Sequence, residues 1–116
     1  MSKEIISTTS APKAIGPYSQ AVKTGNLIFI SGQVPINPET GNVVSGSIKD
    51  ETNQVITNIN NICNAAGYDL GDIVKLTIFL TDLDNFSIVN DVMKQEFSEP
   101  YPARATIEVS GLPLGV

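Results

Sequence analysis

The chain is organised around Tyr101-Pro102-Ala103-Arg104-Ala105-Thr106-Ile107-Glu108-Val109. Pro102 biases the residue before it toward extended backbone, and β-branched residues dominate the second half of the stretch. Both features predict a strand that begins at or near Arg104. Because Ser98-Glu99-Pro100 interrupts the helical pattern before it, this strand follows closely on a helix.

Arg104 is the only arginine among the 116 residues. Its guanidinium stays charged and presents a planar fork of donors, which suits bidentate binding of a carboxylate. The alanines on either side leave room for a ligand. The alternative is a surface ion pair with one of the acidic residues, which is a common and weak interaction. This stretch alone leaves both interpretations open.

Apolar periodicity predicts two helices upstream of this strand, at about residues 48–66 and 85–97. Gly67 is placed to end the first helix in the left-handed conformation. The two apolar stripes consist of Val55, Ile59, Ile62, Cys63 and Ala66 in the first helix and Phe86, Val89, Val92, Met93 and Phe97 in the second. Asn90 lies off the centre of the second stripe, beside Val89.

Strands are predicted at residues 5–7, 21–24, 27–31 and 73–80 as well as at the arginine. The second and third form a hairpin, because Gly25-Asn26 is a two-residue turn whose residues tolerate positive φ. The strand at 27–31 is apolar on both faces, which predicts a central, buried position. This order of elements indicates one α+β domain, spanning residues 1–116, with both helices on one face of a sheet.

The composition excludes several classes of function. The net charge is −5, from 12 acidic and 7 basic residues, and the lysines are scattered, which disfavours nucleic-acid binding. The chain has no histidine, so Ser-His-Asp and Cys-His catalysis and most zinc sites are excluded. Cys63 is the single cysteine and lies on an apolar stripe, which predicts a core residue rather than a nucleophile. No apolar run approaches the length of about 18 residues of a membrane span, so a soluble cytoplasmic protein is expected.

Two further motifs carry candidate site residues. In Gly16-Pro17-Tyr18-Ser19-Gln20-Ala21 the Gly-Pro bend aims Tyr18, either into a site or simply as the anchor of a loop. Gly32 follows Ser31 at the end of a strand, where glycine marks a bulge or a close approach of the backbone to another group. That group is a ligand, a neighbouring chain or packing within this chain.

Five groups of residues, in this order and spacing, carry a resemblance to a known family: Gly16-Pro17-Tyr18-Ser19-Gln20-Ala21; Ser31-Gly32-Gln33-Val34-Pro35; Ala65-Ala66-Gly67 with Val74-Lys75; Val89-Asn90; and Pro102-Ala103-Arg104 through Glu108-Val109. They resemble the Rid family of reactive-intermediate deaminases, also called the YjgF family. The resemblance implies a chorismate-mutase-like α+β fold, with a mainly antiparallel sheet and two helices packed on one face. It also implies a homotrimer whose sheets face inward and whose ligand clefts lie between neighbouring subunits.

The activity that the resemblance implies is hydrolysis of 2-imino acids, formed from enamines such as 2-aminoacrylate, to 2-keto acids and ammonia. It implies no cofactor and no metal. Arg104 is then the carboxylate clamp, Tyr18 lines the cleft beside the substrate, and the backbone at Thr106 faces the imine nitrogen or water. Three further lining residues are implied: Ser31, Gly32 and Asn90.

The chain departs from the family pattern at three places. Many relatives carry cysteine where Thr106 stands, but the implied role there is mainly that of the backbone. Gly111 stands where relatives often have arginine. Relatives continue after the turn at Leu112-Pro113 into a last strand bearing a glutamate that positions or activates water, and no residue here takes that role. Either the sequence is truncated or the protein is shorter than its relatives. The apolar ending of the sequence favours truncation, and in both cases we expect the family's last strand to be missing.

Three functions follow from these observations. The first is an imine or enamine deaminase. The second is a non-catalytic trimer that binds a 2-keto or amino acid in the same cleft and has a regulatory role. Both use Arg104 and differ only in turnover. The third, a ribonuclease or translation inhibitor, is disfavoured because the acidic chain does not suit RNA.

Overall fold

The computed structural model describes residues 2–116. Its helices and strands are β1 Glu4–Ile6, β2 Ala21–Thr24, β3 Leu27–Ile30, α1 Ile48–Ala65, β4 Lys75–Leu80, α2 Phe86–Glu96 and β5 Ala103–Glu108. The order of elements confirms the α+β class. Within these residues, no helix combines the length and the apolar character needed to cross a bilayer.

The first three strands form an antiparallel sheet in the order β1-β2-β3. Thr24 pairs with Leu27 across the two-residue turn, so the predicted hairpin is confirmed. Gly25 adopts a φ of 57°, which a residue without a Cβ reaches at little cost.

β4 and β5 form a second, two-stranded sheet and run parallel. The structure thus differs from the expected single sheet, although two of the three strand pairs are antiparallel. The reason is topological, because α2 carries the chain back to the starting end of β4 before β5 begins. The register places Arg104 beside Leu76 and Thr106 beside Ile78.

Ser47 is the N-cap of α1, and its hydroxyl accepts a hydrogen bond from the Asp50 N–H at 3.1 Å. It ends before Gly67, whose φ of 85° confirms the predicted left-handed residue. The buried positions of α1 are Ile56, Asn58, Ile62 and Cys63, so the predicted stripe is only partly right. The burial of Asn58 was not predicted. Its amide donates to the carbonyl of Ile36 at 2.9 Å and connects the segment around Ile36 to α1.

Two packed clusters hold the layers together. Ile62 of α1 packs with β1, β2 and partly buried residues of β3, whereas Ile56 packs with α2 and with Leu76 and Ile78 of β4. The opposite face of each sheet is uncovered. Leu27 and Phe29 are 58% and 62% exposed, and β3 lies at the edge of its sheet among residues 2–116. The prediction of a central strand buried on both faces is therefore wrong, because the helices cover one face only.

Candidate functional site

Arg104 lies on the second residue of β5 and its side chain extends over α2. One terminal nitrogen, Nη1, donates to Oδ1 of Asn90 at 2.7 Å and lies 3.7 Å from the sulfur of Met93. The guanidinium carbon stands 4.9 Å from the centroid of the Phe86 ring, within the range of a cation–π contact. One helix thus contacts the guanidinium through three side chains.

None of these three contacts neutralises the arginine. An amide oxygen, a thioether and an aromatic ring are all uncharged, and Arg104 has no carboxylate within 4.0 Å in residues 2–116. The alternative of a surface ion pair is therefore wrong for the described chain. The exposed guanidinium keeps a full positive charge, which is the property required to bind an anionic ligand.

Two of the three contacts were absent from the sequence-based site. Phe86 and Met93 were assigned to the apolar stripe of α2, and Met93 is indeed buried. Asn90 was predicted to line the ligand cleft, and the structure shows its oxygen bonded to Arg104 instead of free. A sequence signal for this grouping did exist, because positions 86, 90 and 93 have the i, i+4, i+7 spacing that places side chains on one helical face.

The backbone of Thr106 lies on the open edge of β5. Ala103 and Val109 each donate their N–H toward β4, to the carbonyls of Val74 and Leu80. Because alternate residues of a strand face opposite neighbours, the N–H and C=O of Arg104 and Thr106 point away from β4. No strand of the described chain lies on that side, so these groups are available to a ligand.

The side chain of Thr106 shares the helix-facing side of β5 with Arg104, two residues away. Its hydroxyl is buried and has no hydrogen-bond partner among residues 2–116. Leaving a buried hydroxyl unpaired costs about 1–3 kcal/mol, so such groups are uncommon outside functional sites. The backbone N–H and C=O of this threonine, and not its enclosed hydroxyl, are therefore the polar groups that face the open edge of β5.

Tyr18 and Ser31 form a second group, at the end of the three-stranded sheet. The hydroxyl of Ser31 donates to the carbonyl of Ser19 at 2.6 Å, and its N–H donates to the carbonyl of Gln20 at 3.0 Å. These bonds fix the segment that carries Tyr18, whose side chain is half exposed. The tyrosine hydroxyl accepts one long bond, 3.5 Å, from the N–H of Ile15, so it retains donor capacity.

Neither steric crowding among residues 2–116 nor a left-handed backbone requires glycine at position 32. A Cβ built on it meets no described atom within 4 Å, and its φ is outside the left-handed region. Packing inside the chain is therefore wrong as its explanation. Of the three explanations for this position, a ligand and a neighbouring chain remain.

The two groups of predicted residues stay apart in a single chain. Among the described residues, no hydrogen bond or ring contact joins Tyr18, Ser31 or Gly32 to Arg104 or Asn90. One cavity of about 440 Å³ lies at the start of α1 and another of about 150 Å³ lies beside Phe97; neither is lined by a predicted site residue. One copy of the chain thus presents two half-sites rather than a closed pocket.

Cys63 is a core residue, as predicted. Burial raises the pKa of its thiol, and the charges of Asp72 and Asp69 add to the shift. A protonated, enclosed thiol is a poor nucleophile. The described residues contain no cluster of three or more side chains suited to a metal ion.

Comparison with known proteins agrees with this architecture. A family profile described as Endoribonuclease L-PSP matches residues 8–116. A RutC family protein of Pyrococcus horikoshii is 54% identical over 114 residues, covering 98% of this chain and 90% of that protein. A Bos taurus protein named 2-iminobutanoate/2-iminopropanoate deaminase is 50% identical over 113 residues, covering 97% of this chain and 82% of the relative.

Solved structures give the same result. RidA from the Antarctic bacterium Psychrobacter sp. is 49% identical and superposes with a TM-score of 0.93, covering 97% of this chain and 90% of the RidA chain. Similarity of this degree over nearly the full length concerns the whole fold and not an isolated motif. The chain therefore belongs to the Endoribonuclease L-PSP family, which is the Rid (YjgF) family that its five sequence motifs resemble.

Proposed function

We propose that this protein hydrolyses 2-imino acids, and the 2-enamino acids that interconvert with them, to 2-keto acids and ammonia. The observation that carries the proposal is the guanidinium of Arg104, which has no carboxylate partner among residues 2–116 and lies on the strand with the open edge, β5. A 2-imino acid has a carboxylate for the guanidinium and a C=N group for the strand edge. Relatives named as deaminases of this class, at about 50% identity, add support.

The reaction needs little from the protein beyond positioning. Water adds its oxygen to the imine carbon while one of its O–H bonds breaks and an N–H bond forms. The hydroxyl proton of the resulting carbinolamine then passes to nitrogen, the C–N bond breaks, and ammonia leaves as the C=O bond forms. Because the imine carbon is already electrophilic, holding the substrate and one water in line supplies much of the acceleration. This chemistry suits a chain without histidine.

The strand edge is placed to contact the reacting group. Thr106 lies two positions after Arg104, about 7 Å further along the strand. The long side chain of Arg104 can span this distance, so it can hold the carboxylate of a small substrate while the backbone of Thr106 contacts the C=N group. In this proposal the free C=O and N–H of Thr106 bond the imine nitrogen and the attacking water. Glycine at position 32 and the wall at Ser31 leave room for the substrate's own side chain.

We further propose that the protein is a homotrimer of chorismate-mutase-like subunits, and that each ligand cleft takes one half-site from each of two neighbours. The sheet faces turned away from the helices expose Leu27, Phe29, Phe79 and Ile107. Exposed apolar surface of this kind marks an interface between chains. Its burial between copies would bring Tyr18 of one subunit toward Arg104 of the next. No nucleic acid, membrane or cofactor has a part in this proposal.

Replacing Phe29 with aspartate should dissociate the trimer. A charge at the centre of an apolar interface has no partner, and its desolvation is costly. We expect light scattering on the parent to give three times the 12.3 kDa mass of one chain, and a smaller mass for Phe29→Asp. The control is Ile88→Asp, which places the same charge on the exposed side of α2. An unchanged mass for Phe29→Asp would show that this sheet face is not the interface between subunits.

The proposed activity is tested by the rate at which keto acid appears from 2-aminoacrylate generated in the assay. We expect the protein to accelerate this rate above that of the uncatalysed reaction, in proportion to its concentration. A protein that binds pyruvate but gives no acceleration would be the non-catalytic binding trimer instead. A protein that does neither would contradict both functions.

A further inference from the structure

The three contacts of Arg104 come from one face of one helix. Phe86, Asn90 and Met93 are spaced i, i+4, i+7 on α2, so their side chains follow each other along the same stripe. The centroid of the Phe86 ring lies 4.9 Å from the guanidinium carbon, the amide oxygen of Asn90 accepts a hydrogen bond at 2.7 Å, and the sulfur of Met93 lies at 3.7 Å. We call these three residues the cradle.

The cradle occupies a defined part of the guanidinium. Arginine has five N–H donors: two on Nη1, two on Nη2 and one on Nε. Both cradle acceptors, Oδ1 of Asn90 and the sulfur of Met93, are contacted by Nη1. Nε and Nη2 have no hydrogen-bond partner in residues 2–116, and together they form the side-on edge of the fork.

We propose that Asn90 is a positioning residue which, with Phe86 and Met93, fixes Arg104 so that its Nε and Nη2 edge binds a carboxylate side-on. The identity of that ligand, a 2-imino or 2-keto acid, rests on the proposed function. The ordering of Arg104 by the cradle does not rest on that function, because the three contacts involve residues of this chain alone.

The amide of Asn90 is the important choice of side chain. A carboxylate at this position would lie within hydrogen-bond distance of the guanidinium and form an ion pair. That pair would orient the arginine equally well but compensate its charge, and it would compete with the carboxylate of the ligand. The neutral amide oxygen of Asn90 orients Arg104 without competing with the carboxylate of the ligand. The positive charge of Arg104 is thus left to select anionic ligands.

The ordering is measured by nuclear magnetic resonance on the ligand-free trimer. Because Arg104 is the only arginine, the protein gives one arginine Nε–Hε signal. We expect a high heteronuclear Overhauser effect for this signal in the parent, and a fall toward that of a freely rotating side chain in Asn90→Ala and Phe86→Leu. Asn64→Ala, at an exposed position of α1, is the matched control and should leave it unchanged. An unchanged value in both cradle variants, with circular dichroism showing them folded, would overturn the proposal.

The side-on binding and the role of neutrality are measured by titration with pyruvate. We expect pyruvate to shift the Nε–Hε signal of the parent, and Asn90→Asp to weaken pyruvate binding by about tenfold or more while Arg104 stays ordered. Asn64→Asp carries the same added charge and should bind within about twofold of the parent. Equal affinity of Asn90→Asp and the parent would overturn the role of neutrality.

The two proposals fail in different ways. If pyruvate does not bind the parent, the carboxylate clamp of the proposed function is wrong and so is the assigned ligand. The ordering experiment is decided without any ligand. Pyruvamide, which lacks the negative charge of pyruvate, serves as the comparison ligand. We expect Asn90→Asp and the parent to bind it with the same affinity.

Discussion

Arg104→Ala will lower kcat/KM for 2-iminopropanoate by at least about 100-fold and leave the fold intact. Truncating a charge-assisted bidentate clamp removes roughly 3–5 kcal/mol of binding to the substrate and transition state. The fold should persist because Arg104 is exposed, so its truncation opens no cavity in the core. Steady-state kinetics on 2-aminoacrylate generated in the assay, with circular dichroism of both proteins, measures the two effects.

Two variants separate the clamp from simple loss of charge. Arg104→Lys keeps the positive charge but loses the planar fork and the cradle contacts, so it should recover only part of the activity. Lys75→Ala removes a positive charge from the neighbouring strand, on the face of the sheet turned away from α2, and should retain parental activity. Full activity of Arg104→Ala would show that the guanidinium does not hold the substrate.

Gln20→Leu will lower the free energy of unfolding by about 3 kcal/mol. The side chain of Gln20 is only 5% exposed. Its Oε1 accepts from the N–H of Thr8 at 2.7 Å, and its Nε2 donates to the carbonyls of Thr8 at 3.0 Å and Pro12 at 2.8 Å. Leucine has a similar volume, so it leaves these partly buried backbone groups without their partner and opens no large cavity.

The measurement is urea denaturation at one fixed protomer concentration, because association adds to the apparent stability of an oligomer. Gln95→Leu is the control, since position 95 is exposed on α2 and the same substitution there should change the free energy of unfolding by less than about 0.5 kcal/mol. Equal stability of Gln20→Leu and the parent would show that the loop at residues 8–12 is not held by this side chain.

The elements of this fold could be predicted well from the sequence where the signal is local. The hairpin at Gly25-Asn26, the glycine after α1 and the strand at Arg104 each follow from residues within a few positions of one another. The apolar stripe of α2 was predicted closely, because this helix buries one narrow face. The stripe of α1 was predicted less well, because α1 contacts both sheets and α2, and its buried face is broader than one stripe.

Part of the candidate site was also predictable. A single arginine between two small residues, in an acidic chain without histidine, made a carboxylate clamp one of two interpretations, and the other was a surface ion pair. The cradle was not predicted, since Phe86 and Met93 have the same apolar character whether they fill a core or support a cation. The hydrogen bonds made by the buried side chains of Gln20 and Asn58 were not predicted for a similar reason, because nothing adjacent in sequence distinguishes a buried amide from an exposed one.

By itself, then, the sequence determined most of the segments that are helix or strand, the chemistries that are excluded and the side chain proposed to bind an anion. These properties depend on backbone preferences and on the inventory of side chains, both of which act locally. The tertiary structure alone decided that Arg104 has no carboxylate partner among residues 2–116, that Asn90, 14 residues away, accepts its hydrogen bond, and that the backbone of Thr106 faces an open edge. These facts depend on distances between residues far apart in the chain, and only the packing of α2 against β4 and β5 sets those distances.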